Sequence, residues 1–426
     1  MAHHHIAEQA ASAADALRSR RTLRTLVWIL IPIAIWTVAA LVWLWPHNVA
    51  AHISQDNTST IAVPGLTIPK GTVTAVTETN CDAVSGSANG DGSKCGNLTV
   101  RLDEGPEKGQ SVQVIVTAAV YASGITPGTG VTVYRTPIEN GDPAYQFADF
   151  QRTVPMIVLA LVFVVAVVAV ARWRGLIAVV GLAFAGFILT QFMFPALIVG
   201  HDPVLVGLVG SSAIMFVVLY ATHGFSARTT TALVGTLFGL IMSALLGWGA
   251  TKWAHLTGVA SEDDVILSAA APDLTLTSVV ICGVIIAGLG VLNDVTITQA
   301  SAVWELAGTS KPRPRELFTK AMRIGRDHIA SSVYTILFAS AGAIMSVLLL
   351  LTVYEKPLFS MLLREQFAGE VVRSLVGSIG LVLSVPVTTL IAVMVIAPRE
   401  KAIDRLGDRT VDFDDDELLD IDDDPR

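Results

Sequence analysis

Acidic and hydroxyl side chains recur at helical spacing inside a long apolar segment of this chain. Asp294, Thr298, Ser301 and Glu305 follow one another at i, i+4, i+7 and i+11, and Asn293 precedes them. This spacing places the four side chains on one face of a helix. An acidic residue near the middle of a membrane helix costs about 2.5–3.5 kcal/mol, so we expect this face to point at a bundle interior, a partner or a water-filled path. Such a face could conduct protons or a cation. The alternative is that this helix end has left the bilayer and the stripe is solvated or capping.

A second polar face begins the next apolar segment. Asp327, Ser331 and Tyr334 lie at i, i+4 and i+7, again on one side of a helix. His328 is a candidate proton relay, although a solvated interfacial histidine is the simpler interpretation. Asp327 could equally form a surface pair with Arg323.

The motifs of intramembrane or soluble catalysis are missing from the sequence. It contains no His-Glu-x-x-His metal helix, no Gly-x-Ser-x-Gly elbow and no Gly-rich phosphate loop ending in Lys-Ser or Lys-Thr. Asp294 is the one clear intramembrane aspartate, where an aspartate dyad would need two. We therefore expect neither an enzyme nor a bound metal or cofactor.

The elements that must position these residues are long apolar runs. The 426 residues are 52% hydrophobic and 15% charged, whereas charged residues make up about a quarter of a soluble domain. Each run is long enough to cross a hydrocarbon core of about 30 Å as a helix, and a β-barrel would instead show weak alternation. The sequence therefore predicts an all-α polytopic membrane bundle of about eight transmembrane helices. The predicted spans are 26–45, 154–171, 176–199, 203–221, 230–250, 276–303, 330–353 and 375–397.

Residues 46–152 differ from the rest in having charges, alternating hydrophobic residues and turn dipeptides such as Asn89-Gly90. Several short strands in about 100 residues predict a small β domain after the first span, either an OB-like barrel or a sandwich. Cys81 and Cys95 lie in this segment, and a disulfide between them would stabilise it by about 3 kcal/mol. Two unrelated free thiols are the alternative, favoured if the segment faces a reducing compartment.

Basic residues give the expected orientation. Arginines precede the first span and follow the last, while the loop at 251–275 is mainly acidic, so the positive-inside rule puts both termini in the cytoplasm and the β domain outside. We expect a cytoplasmic segment at 1–25, a retained anchor at 26–45 rather than a cleaved signal peptide, a seven-helix bundle at 153–398 and a cytoplasmic acidic tail at 399–426. No basic stripe interleaved with aromatics indicates nucleic-acid binding.

A set of local motifs occurs in order along the chain, at 172–176, 223–229, 235–236, 255–258, 293–305, 325–328 and 338–342. Together these motifs resemble the YibE/F family of multi-span bacterial membrane proteins. The resemblance runs from about Gly71 to Ala397, and family members more often have Met-Asp-Val where this chain has Asn293-Asp294-Val295. It implies an extracytoplasmic β domain joined to a helical bundle in a bacterial plasma membrane, in proteins described as permeases.

Two functional hypotheses follow from these patterns. The first is a transporter that moves an unidentified small solute along a path lined by the two polar faces, with Asp294 coupling protons or a cation. The second is a non-transporting scaffold or envelope-assembly factor, in which the outer β domain binds an envelope protein. A sensor acting through the acidic tail is weaker, because an Asp-rich run is most simply a solvated end.

Overall fold

The fold is known from a computed structural model, which describes residues 28, 30–54, 65–81, 94–138, 141–310, 312–353 and 357–407. The chain forms two compact units, one of residues 54–176 and one of residues 1–53 with 177–426. The predicted cytoplasmic segment at 1–25 and most of the predicted acidic tail lie outside the described residues.

The first unit contains a five-stranded antiparallel sheet with the order β3-β2-β1-β4-β5. The strands that end this order, β3 and β5, also contact each other. Alternate apolar residues such as Val73, Leu98, Val100, Val114 and Val131 point to one side and form the core of this unit, as the period-2 geometry of a strand requires. Its elements are β1 (Lys70–Asn80), β2 (Lys94–Leu102), β3 (Ser111–Val116), the short helix α2 (Ala118–Tyr121), β4 (Gly130–Thr136) and β5 (Ala144–Phe150).

The predicted disulfide between Cys81 and Cys95 is confirmed, with the two Cα atoms 5.0 Å apart. Cys81 follows the last residue of β1, and Cys95 lies in β2 opposite Thr79. The bond therefore closes the β1-β2 connection, and a loop of this length contributes about 3 kcal/mol through the unfolded state.

The second unit is helical. Among the described residues, five helical segments are long and apolar enough to cross a membrane: 153–198, 203–223, 227–253, 276–308 and 365–396, with a shorter apolar helix at Leu30–Trp43. The first of these segments begins in the first unit, which ends at residue 176. In chain order the helices are α1 (Leu30–Trp43), α3 (Thr153–Ile188), α4 (Phe194–Ile198), α5 (Pro203–His223), α6 (Ala227–Trp253), α7 (Glu262–Ala270), α8 (Leu276–Ser310), α9 (Pro314–Ala343), α10 (Met345–Val353), α11 (Leu358–Leu362) and α12 (Glu365–Gly407).

Three of the predicted spans take a different form from the expected one. The predicted spans 154–171 and 176–199 fall in one segment of 46 residues, which at 1.5 Å per residue is about 69 Å of helix, enough for two crossings. Arg172, with φ 53° and ψ −135°, interrupts that segment at the predicted boundary. The predicted span 330–353 is divided, because α9 ends at Ala343 and α10 begins only at Met345.

The bundle is built around α8, which packs against α6 and α12 and also contacts α5 and α9. Its interior holds fully buried apolar side chains such as Leu240, Ile285, Leu292 and Leu381. In contrast, α3 exposes most of its valine, leucine and phenylalanine side chains. Large exposed apolar surface of this kind fits a lipid environment, where it needs no protein cover.

Candidate functional site

The acidic stripe predicted on α8 exists as one helical face, but it points away from the packed side of the helix. The buried residues of this stretch, including Leu292, Thr296, Gln299 and Val303, form the opposite face. The predicted site residues of the stripe differ in exposure: Asp294 and Glu305 are exposed, whereas Asn293, Thr298 and Ser301 are half-buried.

The depth of this stripe follows from the length of α8. Asp294 lies 18 residues after Leu276, which is about 27 Å along the helix and close to the far limit of a hydrocarbon core of about 30 Å. Glu305 lies about 44 Å along, beyond such a core if α8 enters the core at its first residue. An acidic group at the position of Asp294 therefore needs water, a headgroup or a partner.

The second predicted face, on α9, is also turned outward. Leu317, Ala321 and Gly325 form the buried side of α9. The predicted site residues lie on its other sides: Asp327, Ser331 and Tyr334 are exposed and His328 is half-buried. The role of these side chains and of the α8 stripe in transport stays a prediction.

A different set of polar residues lies inside the bundle, where α6, α8 and α12 meet. All are uncharged and almost completely buried. We call this set the polar seam; its members are Thr236, Ser243, Thr296, Gln299, Ser384, Thr388 and Thr389. From Gly288, which faces Ser243, to Gln299 the seam follows α8 for 11 residues, about 16 Å at the rise of a helix.

Hydrogen bonds join the helices across the polar seam. The hydroxyl oxygens of Thr236 and Thr296 lie 2.6 Å apart, which links α6 to α8. Gln299 Nε2 donates to Thr389 Oγ1 at 2.7 Å and to the carbonyl oxygen of Ala321 at 3.1 Å. One amide group thus ties α8 to both α12 and α9.

Two buried oxygens of the polar seam remain without a hydrogen-bond partner among the described residues, Oε1 of Gln299 and Oγ of Ser243. Leaving such a group unsatisfied costs about 1–3 kcal/mol in a protein interior, and the hydrocarbon core offers no water to relieve it. These oxygens can therefore accept a bond from a donor, a cation or a water molecule that enters the seam.

Glycines on α6 and α12 allow these two helices to pack directly against side chains of the polar seam. A β-carbon at Gly235 would overlap Oγ1 of Thr388, and one at Gly380 would overlap Oγ of Ser243. Gly235, Gly239 and Gly247 on α6 lie at multiples of four residues, a spacing that predicts close helix packing. The close contact of Gly235 with Thr388 agrees with that prediction. In the described structure α6 and α12 are therefore in direct contact across the seam.

A charged cavity lies at the end of the bundle that contains α7 and the start of α12. It has a volume of about 220 Å³, and its lining includes Asp264, Glu365, Glu370 and Arg373. Nη1 of Arg373 donates to Oε2 of Glu370 at 2.5 Å, and Oε1 of Glu365 accepts a bond from the amide of Gly258 at 2.7 Å.

Sequence reasoning missed both the polar seam and this cavity. The last predicted span begins at residue 375, so Glu370 and Arg373 fall in a presumed loop, whereas α12 begins at Glu365. Their i, i+3 spacing is the signal that could have placed them on a helix. Single Thr, Ser and Gln residues gave no comparable signal, because neutral polar residues also occur as simple links between helices.

The described part of the first unit, residues 54–176, which we call the β unit, includes a partly buried ion pair. Arg135 on β4 donates from Nε and Nη2 to the two carboxylate oxygens of Glu107, at 2.9 and 2.6 Å. This hydrogen-bonded guanidinium holds the pKa of Glu107 below its ordinary value. Burial, and then the charge of Glu107, raise the pKa of Tyr145 beside them. The pair fixes the β2-β3 connection onto β4.

Comparison with known proteins identifies one family. The family model described as YibE/F-like protein matches residues 159–398, a range that contains every residue of the polar seam. The β unit lies almost entirely outside this match. No curated protein and no solved structure matches the chain.

Proposed function

Because the chain belongs to the YibE/F-like family, whose model covers more than half of its 426 residues, we propose that it is a membrane permease for a small polar solute. The polar seam forms the route, and the described structure corresponds to a closed state. Asp294 keeps the coupling role expected from the sequence, acting from the outward face of α8 on protons or a cation.

One observation carries this proposal: oxygens without partners lie in the middle of a bundle whose neighbours are lipid. Gln299 Oε1 and Ser243 Oγ are both buried and unsatisfied among the described residues. A helix bundle that only anchors a domain gains nothing from such groups, because apolar side chains would pack there at no desolvation cost. A route for a polar solute needs acceptors of this kind.

The proposed membrane arrangement keeps eight crossings, with both termini in the cytoplasm of a bacterial cell and the β unit on the outer face of the plasma membrane. The length of 153–198 and the break at Arg172 support two crossings there, and the disulfide supports an oxidising side for the β unit. We further propose an OB-like barrel for that unit, because β3 contacts β5 and a short helix precedes β4.

The test compares Gln299→Leu with Gln191→Leu, the same chemical change at an exposed position. Each variant is expressed at matched membrane abundance in cells that lack the gene, and small solutes are measured inside and outside the cells. We expect Gln299→Leu to reproduce the solute imbalance of the deletion and Gln191→Leu to restore the wild-type distribution. Equal behaviour of the two variants would exclude the polar seam as the route.

The second candidate function is a scaffold whose β unit binds an envelope protein, with no enzymatic activity and no cofactor in either case. It is favoured by the tight closure of α6 and α12 over the polar seam. It predicts that Gln299→Leu and Asp294→Asn both complement the deletion, and that changes in the β unit abolish function without any solute imbalance.

A further inference from the structure

The charged cavity beside α12 adjoins an apolar cavity. The apolar cavity has a volume of about 380 Å³ and is lined only by apolar side chains and glycine, among them Phe194, Leu267, Cys282 and Gly283. Val279 lines both cavities. The two spaces thus meet along α8, at the same end of the bundle.

Arg373 stands at the boundary between the two cavities. A β-carbon built at Gly283 would lie 3.7 Å from Nη2 of Arg373, an ordinary van der Waals distance, so the guanidinium lies next to Gly283 beside the apolar space. Nη1 is engaged by Glu370, but Nε is buried and has no partner among the described residues. Because Nε is shielded, Nη2 at this boundary is the donor that an anion would contact, and the planar fork of a guanidinium suits a phosphate.

The charges of the polar cavity restrict what that anion can be. Asp264, Glu365 and Glu370 line the same space as Arg373, so carboxylates outnumber the guanidinium there. Oδ2 of Asp264 already accepts bonds from Ser261 at the start of α7, which leaves Glu365 and Glu370 as the main acceptors. A ligand with only negative charge would be repelled by the carboxylates, whereas a ligand that carries an ammonium beside its phosphate meets both signs. Each carboxylate has two oxygens with several acceptor sites, so the bonds already formed to Gly258 and Arg373 leave capacity for ammonium N–H groups.

We propose that the paired cavities form a binding site for a phospholipid with a zwitterionic head that carries a primary ammonium group, such as phosphatidylethanolamine. The phosphate contacts Arg373, the ammonium contacts Glu370 and Glu365, and one acyl chain occupies the cavity beside Gly283. This site is separate from the polar seam and does not depend on the proposed transport.

The test uses the purified full-length chain in detergent and native mass spectrometry with added dioleoyl lipids. Phosphatidylethanolamine should bind more tightly than phosphatidylcholine, which lacks ammonium N–H groups, and more tightly than phosphatidylglycerol, which lacks the positive charge. Arg373→Gln should weaken phosphatidylethanolamine binding by about tenfold, the scale of one lost charge-assisted bond. Arg364→Gln is the matched control, since Arg364 is exposed just before α12, and it should bind like the wild type.

Two further measurements distinguish the contribution of the lipid head group to binding from that of the acyl chains. Glycerophosphoethanolamine, the head without chains, should compete poorly because it leaves the apolar cavity empty. Gly283→Leu should weaken binding of the whole lipid, because its side chain enters the boundary beside Arg373. Equal binding of the three lipids, tighter binding of phosphatidylglycerol, or equal losses for Arg373→Gln and Arg364→Gln would each overturn the proposal. If a variant fails to fold, the comparison of the three lipids on the wild-type chain still tests the proposal.

Discussion

The contact between α6 and α12 gives a quantitative prediction for Gly235→Ala. The added β-carbon would overlap Oγ1 of Thr388 and lie 3.0 Å from its Cβ and 3.3 Å from its Cγ2. Thr388 is completely buried, and its hydroxyl donates to the carbonyl oxygen of Ser384 at 2.7 Å. The threonine therefore cannot rotate away without losing that bond, and the helices must move apart.

The expected change in the free energy of unfolding is the difference between two opposing effects. Overpacking of a close-packed interior costs about 1–3 kcal/mol, whereas replacing glycine by alanine in a helix gains up to about 1 kcal/mol. We therefore expect Gly235→Ala to lower the free energy of unfolding by about 1–2 kcal/mol. Gly249→Ala in the same helix is the matched control, because no atom lies within 4 Å of its added β-carbon; this variant should gain stability.

The assay is unfolding in mixed micelles, followed by the fluorescence of the eight tryptophans, at one scan rate for all variants because membrane proteins often unfold irreversibly. The double variant Gly235→Ala with Thr388→Ala should recover part of the loss, with a coupling of about 1 kcal/mol, because the overlapping atoms are gone. The packing argument fails if Gly235→Ala is as stable as Gly249→Ala, or if the two changes at Gly235 and Thr388 are simply additive.

Three further predictions concern the β unit and the acidic stripe. Reducing the Cys81–Cys95 bond should lower the stability of the β unit by about 3 kcal/mol, seen as faster amide hydrogen exchange in its strands; unchanged exchange would contradict this. Because Arg135 lowers the pKa of Glu107 in the folded state, the pair should stabilise the β unit above the unfolded pKa of about 4.3 and lose this effect as the pH falls through the folded value. Glu107→Gln should then weaken the acid sensitivity of exchange, and an identical pH profile would refute it. Asp294→Asn should abolish complementation of a deletion strain at wild-type membrane abundance; full complementation would remove Asp294 from the coupling role.

Sequence patterns predict the membrane class and the β unit because both depend on local physics. Apolar runs of span length and alternating strands can be read directly from hydrophobicity, and the pairing of Cys81 with Cys95 needs only one short connection. The division of the predicted span 330–353 near Ile344 could not be read in this way. That stretch contains no charged residue, so its hydropathy does not reveal the break between α9 and α10.

The acidic stripe on α8 shows a second limit. Spacing places Asp294 and Glu305 on one face, but only packing decides which way the face points. The neighbouring helices α6 and α12 approach the opposite side, because Gly239, Gly288 and Gly380 allow close contact there. Side chains of moderate polarity, such as Gln299 and Thr296, then occupy the interior, where each can share its hydrogen bonds with a backbone carbonyl or a neighbour.

This arrangement separates charge from the interior in a way that constrains any transport cycle. A carboxylate inside the polar seam would carry a large desolvation penalty, whereas neutral amides and hydroxyls there leave only a few unsatisfied oxygens. If Asp294 couples a proton or cation to movement of the solute, it must do so through α8, which holds Asp294 on one face and Gln299 on the other. A rotation or shift of this helix would change the surroundings of both residues together. Loss of transport in Asp294→Asn with an intact polar seam, and in Gln299→Leu with an intact Asp294, would therefore be the expected pair of results.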